Sequence, residues 1–261
     1  MNSNENSNLV EVRNLDKWFG DLQALNDVSM TVEQGKVMVI IGPSGSGKST
    51  LLRCINFLEV PTDGEVWFMG EKMTEEQKSL NHHRAEIGMV FQSFNLYAHL
   101  TILENITLAQ RVVKKTDKKL AEEIAMEQLR KVGIADKADK LPSQISGGMR
   151  KRVGLARALA MRPRFILFDE PTTGLDPVMS NAISKLIRQV HDRTCATSLV
   201  ISHDIEGAYS IADNMAMIYR GGIVFEGTPD DFRGAGDPLV QQFVKGLVEG
   251  PINPINPVNS G

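Results

Sequence analysis

Cysteine is scarce in this sequence, which has only Cys54 and Cys195 among its 261 residues. The two positions lie far apart and match neither the spacing of a metal site nor that of a redox pair. We therefore expect both thiols to be reduced and to have a structural role.

Long apolar runs and an excess of one charge are also missing. No apolar run approaches the length that spans a bilayer, and residues 1–8 lack the basic and apolar regions of a signal peptide. The formal net charge of −3 gives no indication of a nucleic-acid partner. We expect a cytoplasmic chain without nucleic acid, long enough for one sizeable domain or for one domain with an inserted lobe.

A glycine-rich turn lies between an apolar strand pattern at residues 37–41 and a helical pattern from residue 51. It reads G-P-S-G-S-G-K-S-T and matches the phosphate-loop pattern G-x-x-x-x-G-K-S. Glycines let backbone N–H groups surround an anion, and the start of the helix adds partial positive charge. The alternative is a glycine-rich turn with an incidental lysine. The predicted phosphate-binding residues are Gly42, Pro43, Ser44, Gly45, Ser46, Gly47, Lys48, Ser49 and Thr50.

Two members of this loop have predicted roles of their own. Lys48 can reach the β- and γ-phosphates of a nucleotide, and the Ser49 hydroxyl is a natural Mg²⁺ ligand.

Short apolar alternation at residues 9–12 and 28–32, with a further strand at 64–70, predicts a small antiparallel sheet. Phe19 lies between the first two, where an aromatic ring either stacks on an adenine or is a half-buried strand residue. His82 and His83 are predicted to be surface residues.

Residues 87–92 predict a strand that ends in Gln92, which either ligates Mg²⁺ or orients a water, or is an ordinary strand-end amide. The pattern then turns helical over residues 101–132, with Thr101 and Glu104 as a capping box. The charged run at residues 114–119 indicates a solvated connection between helices. We expect a helical lobe at about residues 93–155.

A second glycine-rich turn, at residues 143–149, precedes a predicted helix at 150–161. Ser146, Gly147 and Gly148 form an anion site in this position. Because one phosphate loop already exists, the second turn makes sense if it contacts a nucleotide bound to another copy of the chain. The alternative is a simple helix cap at Ser146.

Residues 165–170 predict a buried strand that ends in two carboxylates. Asp169 can hold Mg²⁺, directly or through water, and Glu170 can accept a proton from an attacking water. A turn at residues 172–177 follows, and a further apolar strand ends at His203. This histidine either contacts the γ-phosphate or the attacking water, or is an ordinary polar residue.

The order of these motifs resembles the ATP-binding subunit of an ABC transporter over roughly residues 9–230. The resemblance implies an α/β fold: a RecA-like P-loop NTPase core with a small antiparallel β subdomain and an inserted helical subdomain, over residues 9–235. It implies ATP and Mg²⁺ as cofactors. The implied site residues are Phe19 stacking on adenine, Gly42 to Thr50 as Walker A, Gln92 as the Q-loop, Asp169 and Glu170 as Walker B and catalytic base, Asp176 in the D-loop, and His203 as the switch histidine.

Residues 145–149 correspond to the family's L-S-G-G-Q signature, with Ile145 and Met149 as the two departures. The family's arrangement implies a head-to-tail homodimer in which ATP lies between Walker A of one copy and Ser146, Gly147 and Gly148 of the other. It further implies a separate integral membrane permease, and a peripheral location on the inner face of the cell membrane.

The two halves of the chain resemble different transporters. Residues 51–59 and 91–96 are similar to bacterial polar amino-acid importers. The stretch from Ile145 onward, with residues 237–243 and 250–252, is similar to ATPases of MCE-associated phospholipid transporters. We expect a polar amino acid as solute, because the family's permease contacts lie mostly in the first half. The wider complex then includes a solute-binding protein or, in the alternative, an MCE-domain protein.

Residues 236–261 are predicted to be a partly disordered C-terminal extension. Pro251, Pro254 and Pro257 recur at every third position and favour an extended segment. This segment is either an arm that reaches another subunit or a disordered terminus.

Two other functions are possible for such a chain. One is a soluble ABC protein without a permease, but those usually have two ATPase units or a long coiled-coil insertion. The other is a non-catalytic binding module, which the presence of Glu170 opposes.

Overall fold

The computed structural model describes residues 8–253, which form two sheets surrounded by helices. The strands are β1 Asn8–Phe19, β2 Leu22–Glu33, β3 Val37–Ile41, β4 Asp63–Phe68, β5 Glu71–Lys72, β6 Ile87–Val90, β7 Phe165–Asp169, β8 Thr197–Ile201, β9 Asn214–Tyr219 and β10 Gly222–Gly227. The helices are α1 Lys48–Ile55, α2 Gln77–Ala85, α3 Ile102–Val112, α4 Lys118–Lys131, α5 Gly147–Ala160, α6 Pro177–Thr194, α7 Ile205–Ile211, α8 Pro229–Gly234 and α9 Pro238–Lys245.

The larger sheet has the strand order β10-β9-β3-β8-β7-β6. All neighbours from β9 to β6 are parallel, and β10 pairs antiparallel with β9. Strands β3, β7 and β8 are buried along their whole length, as expected for a parallel sheet covered on both faces. The carboxyl ends of the four strands β3, β8, β7 and β6 therefore form a continuous edge.

Alternate residues of β3 belong to two different cores. Val37, Val39 and Ile41 pack with the helices, whereas Met38 and Ile40 pack with the small antiparallel sheet β2-β1-β4-β5. This follows from the two-residue period of a strand. The predicted α/β fold with a small antiparallel sheet is confirmed, although β1 and β2 are longer than the sequence indicates.

The helices α3, α4 and α5 pack on one another and carry buried apolar residues on their facing sides, among them Ile106, Ala125 and Val153. The predicted capping box is present at the start of α3: Glu104 N donates to Thr101 Oγ1, and Thr101 N donates to Glu104 Oε2. The predicted helical interruption is confirmed by the gap between α3 and α4.

The prediction that both adjacent histidines lie on the surface is wrong for His83. His82 is exposed, but His83 lies on the inner face of α2 and is only 4% exposed. Its ring packs edge-on against Phe68, and Nε2 lies 3.1 Å from the Glu71 carboxylate. Neighbouring side chains on a helix point in different directions, so one of the two histidines is buried while the other is exposed.

Residues 229–253 contain two helices that the sequence did not indicate, and of these α9 lies in the predicted C-terminal extension. Val240 of α9 is fully buried, and Gln242 exchanges hydrogen bonds with the backbone N–H and C=O of Ile252 at 2.6 and 2.8 Å. The chain therefore folds back on α9 after Gly246. The expectations for Pro254 and Pro257 lie outside the described residues. Within residues 8–253, no helix combines the length and apolar character needed to cross a membrane.

The two cysteines differ in exposure. Cys54 is buried in α1, whereas Cys195 follows α6 and is exposed, so only the first has the expected packing role. Burial raises the pKa of the Cys54 thiol to about 12.

Because the thiolate is the nucleophile, we expect iodoacetamide at about pH 8 to modify Cys195 alone in the native protein and both cysteines after denaturation. Mass spectrometry of the intact chain checks this, with Cys195→Ser as control; rapid native modification of that variant would contradict it.

Candidate functional site

The predicted site residues converge on the carboxyl edge of the larger sheet. The phosphate loop follows β3, and His203 follows β8. Asp169 is the last residue of β7, and Glu170 comes directly after it. Gln92 follows β6. These four strands are neighbours in the order β3-β8-β7-β6. In open α/β sheets, ligands bind outside the carboxyl ends of the strands.

Two glycines of the phosphate loop, Gly42 and Gly47, lie so close to neighbouring backbone that a Cβ at either position would clash. Gly47 has φ 104°, and a Cβ there would lie 2.6 Å from the Ala24 carbonyl oxygen. Gly42 has φ 150°, and a Cβ there would collide with the carbonyl oxygen of Ile218. The loop is therefore held between β2 on one side and β9 on the other.

Lys48 begins α1 and is 5% exposed. Its ammonium donates to the carbonyl oxygens of Gly42 at 2.8 Å and Pro43 at 2.7 Å. Since an ammonium has three donors, one remains for a ligand. Burial lowers the pKa of Lys48, and the nearby charges of Glu170 and Asp169 oppose that change.

Ser49 connects the first turn of α1 to the end of β7. Its hydroxyl donates to Asp169 Oδ1 at 3.0 Å. Burial raises the pKa of Asp169, while this hydrogen bond lowers it. A hydroxyl and a carboxylate at this distance are the hard oxygen ligands that Mg²⁺ prefers, so the donor set fits that cation.

The Glu170 carboxylate is the meeting point of three other side chains. Oε2 accepts a hydrogen bond from Thr173 Oγ1 at 2.7 Å and a longer one from Gln92 Nε2 at 3.4 Å. His203 Nδ1 lies 3.4 Å from the same oxygen. Glu170 has φ 47°, an uncommon conformation that the surrounding contacts maintain.

A cleft of about 400 Å³ opens in front of the phosphate loop. Its walls include Lys48, Ser49, Glu170 and Phe19, whose ring is 44% exposed and lies 4.8 Å from the Lys17 ammonium. Arg220, in the β9–β10 turn, also lines the cleft and was missed by the sequence reasoning. Its turn position carries no motif, so only the pairing of β9 with β3 brings it to the site.

The second glycine-rich turn does not line this cleft. Ser146 caps α5 by accepting a hydrogen bond from Met149 N at 3.3 Å, and Gly147 and Gly148 form its first turn. Asp176 caps α6 and accepts hydrogen bonds from the backbone of Val178 and Met179. Of the two glycine-rich helix starts singled out in the sequence, that of α1 lines the cleft and that of α5 does not.

Comparison with known proteins decides the family. The model of the family described as ABC transporter matches residues 25–173, more than half of the chain. The chain belongs to the ABC transporter family. It is an ATP-binding subunit of this family and an ATPase, with the fold predicted from its sequence.

Curated relatives of this ABC ATPase cover nearly its whole length. The glutamine transport ATP-binding protein GlnQ of Geobacillus stearothermophilus is 44% identical over 224 residues, which cover 86% of this chain and 92% of the relative. The glutamate/glutamine/aspartate/asparagine transport ATP-binding protein BztD of Rhodobacter capsulatus is 42% identical over 240 residues, covering 92% of this chain and 91% of the relative.

A solved structure gives the same result for the fold. The dimeric structure of an ATP-binding cassette in a post-hydrolysis state, bound to ADP and Pi, superposes with a TM-score of 0.77 and 33% identity. The match covers 84% of this ABC ATPase and 98% of that chain. The fold of this chain is thus that of a known ATP-binding cassette.

Proposed function

We propose that this ABC ATPase powers the uptake of a polar amino acid through a separate membrane permease, and that it works as a homodimer with Mg²⁺ as cofactor. The observation that carries the catalytic part is the convergence of Lys48, Ser49, Asp169, Glu170 and His203 at one edge of the sheet. Each is the residue type that phosphoryl transfer to water requires.

The division of roles follows from the contacts. Ser49, Asp169 and Gln92 would hold Mg²⁺, which when bound neutralises charge on the phosphates. Lys48 and the backbone N–H groups at the start of α1 bind and orient the phosphates. Glu170 accepts the proton of the attacking water, and His203 and Gln92 fix the position of its carboxylate.

The homodimer supplies what the cleft of one copy lacks. In this proposal, Ser146, Gly147, Gly148 and Asp176 of one chain face the nucleotide in the phosphate loop of the other. Their absence from the cleft of their own chain supports this arrangement. Phe19 lies exposed at the cleft, where it stacks on the adenine.

The permease binds, in this proposal, to a groove beside the helical lobe. The groove has a volume of about 910 Å³, and its lining includes Phe91 and Tyr97 after β6, Leu108 and Val112 of α3, and Arg157 of α5. Val112 is 57% exposed. An apolar groove with exposed aliphatic residues is typical of a protein–protein contact.

The polar amino-acid assignment rests on the names and extent of the relatives. The glutamine and glutamate transport proteins align with both halves of the chain, including the region after Ile145. The alternative is an ATPase of an MCE-type phospholipid transporter. Val240 of α9 is buried and Ile252 folds back onto Gln242, so the described part of the C-terminal segment packs on its own chain and gives this alternative no support.

Purification of the tagged protein from its native membranes, followed by mass spectrometry, tests this proposal. We expect a permease together with a periplasmic solute-binding protein. Val112→Asp should strongly reduce this recovery, because permease binding would have to remove a charged carboxylate from water where the chain now presents an apolar side chain. Val224→Asp, at an exposed valine of β10, is the matched control and should leave it unchanged.

Two results would contradict the proposal. Recovery of an MCE-domain protein would assign the chain to phospholipid transport. Absence of any integral membrane protein would favour the soluble type of ABC ATPase.

A further inference from the structure

The helix α5, which begins at the signature turn, makes polar contacts with two distant segments. One turn into the helix, the Lys151 ammonium donates to the carbonyl oxygen of Thr173 at 2.6 Å. Two turns further on, the Arg157 guanidinium donates to the carbonyl oxygens of Phe94 and Asn95, both at 2.8 Å. The same helix therefore binds the segment after Glu170 and the segment after Gln92.

Thr173 connects Lys151 to the proposed base. Its backbone oxygen accepts from Lys151, while its hydroxyl donates to Glu170 Oε2 at 2.7 Å. Its N–H also donates to the backbone oxygen of Glu170 at 3.3 Å. A displacement of α5 along its axis thus reaches the Glu170 carboxylate through a single intervening residue.

Lys151 is an unusual residue for a buried position. It is 4% exposed, and its ammonium lies 5.3 Å from the centre of the Phe94 ring. Burial lowers its pKa to about 8, and the charge of Glu170 opposes this effect. Burying an ammonium is costly where an apolar side chain of similar size would pack without penalty. The packing of the lobe alone therefore does not account for a lysine here.

We propose that Lys151 is a positioning residue that couples the signature turn of this chain to Glu170. The proposal rests on the homodimer described above, in which the signature turn contacts the nucleotide of the partner subunit. Binding of that nucleotide fixes α5, and Lys151 and Thr173 then hold the base at this chain's own nucleotide. Nucleotide binding at one active site thereby affects the position of the catalytic base at the other.

Lys151 is not among the residues that line the nucleotide cleft. Its replacement should therefore change turnover and cooperativity and leave ATP affinity nearly unaltered. If Lys151 only supported packing, its replacement would instead lower folding stability, and glutamine and methionine would lower it to a similar extent.

The experiment measures ATP turnover against ATP concentration for the full chain and for Lys151→Met and Lys151→Gln. Methionine keeps the length of the stem but removes the donor, so we expect kcat to fall about 10- to 100-fold and the Hill coefficient to fall from above 1 to about 1. The Kd for ATP should stay within about twofold. Glutamine keeps an N–H donor and should restore most of both quantities. Lys185→Met, at an exposed position of α6, is the control.

The outcomes separate this inference from the proposed function. If the unaltered chain neither dimerises with ATP nor hydrolyses it, the proposed function fails. If the unaltered chain is cooperative and Lys151→Met keeps the same kcat and Hill coefficient, the coupling role is wrong.

A folding defect in Lys151→Met would be detected by circular dichroism. In that case Thr173→Val decides, because it removes the hydroxyl that reaches Glu170 and keeps the side-chain shape. We expect it to lower kcat and the Hill coefficient together. Unchanged values would overturn the proposal.

Discussion

Replacement of Glu170 by Gln is expected to lower ATP turnover by a factor on the order of 10² to 10⁴, the usual contribution of a general base. Glutamine has nearly the same shape and can keep hydrogen bonds with Thr173 and Gln92, but it cannot accept the proton of the attacking water. ATP binding should persist because the phosphates are held by the loop around Lys48. Without hydrolysis, the ATP-bound homodimer should accumulate.

Phosphate release measures turnover in this experiment, and size-exclusion chromatography with ATP measures the dimer. Glu33→Gln is the matched control, since Glu33 ends β2 at an exposed position outside the cleft. Normal turnover in Glu170→Gln would show that another group accepts the proton.

Replacement of Lys48 by Ala is expected to weaken ATP binding itself. A hydrogen bond from a charged group contributes about 1.5–3 kcal/mol, which corresponds to roughly 10- to 100-fold in Kd for each bond lost. The substitution would also leave the carbonyl oxygens of Gly42 and Pro43 without their present donor, so the loop loses part of its support. Turnover falls with binding.

Equilibrium binding of a fluorescent ATP analogue measures the Kd in this case. Lys36→Ala is the control, because Lys36 is exposed and lies before β3, outside the cleft. An unchanged Kd for Lys48→Ala would mean that the ammonium does not contact the phosphates. Thermal unfolding without nucleotide distinguishes lost binding from a lost fold.

The phosphate loop was predictable because its information is local. The glycines and Lys48 lie within nine consecutive positions, and the apolar run of β3 and the pattern of α1 define their context. Asp169 and Glu170 were predictable from the buried apolar strand that they end, together with its position downstream of the phosphate loop. Parallel pairing then brings the ends of such strands together.

The residues that the sequence did not indicate depend on distant contacts. Arg220 reaches the cleft because β9 pairs with β3, and Lys151 approaches Thr173 through the packing of α5. The burial of His83 depends on the contact of α2 with Phe68 of the small sheet. None of these contacts has a local signal, since each joins segments that lie far apart in the chain.

The C-terminal helices were missed for a related reason. Val240 and Phe243 give only a short apolar pattern, and the prolines after it suggested an extended chain. The buried amide of Gln242 closes the fold-back by bonding to Ile252. The pattern of apolar residues in a sequence does not reveal a polar side chain that forms hydrogen bonds with the backbone of a distant turn.

The position of the phosphate loop between β2 and β9 limits how far this protein can be shortened. Gly47 rests against the Ala24 carbonyl, Gly42 against that of Ile218, and Asn26 N donates to the oxygen of Gly221 at 2.9 Å. A fragment trimmed to the parallel sheet and its helices would keep the whole motif but lose the wall formed by β2. We therefore expect the smallest nucleotide-binding unit to include β1 and β2, and a chain split before β3 to bind ATP only when its two pieces reassemble.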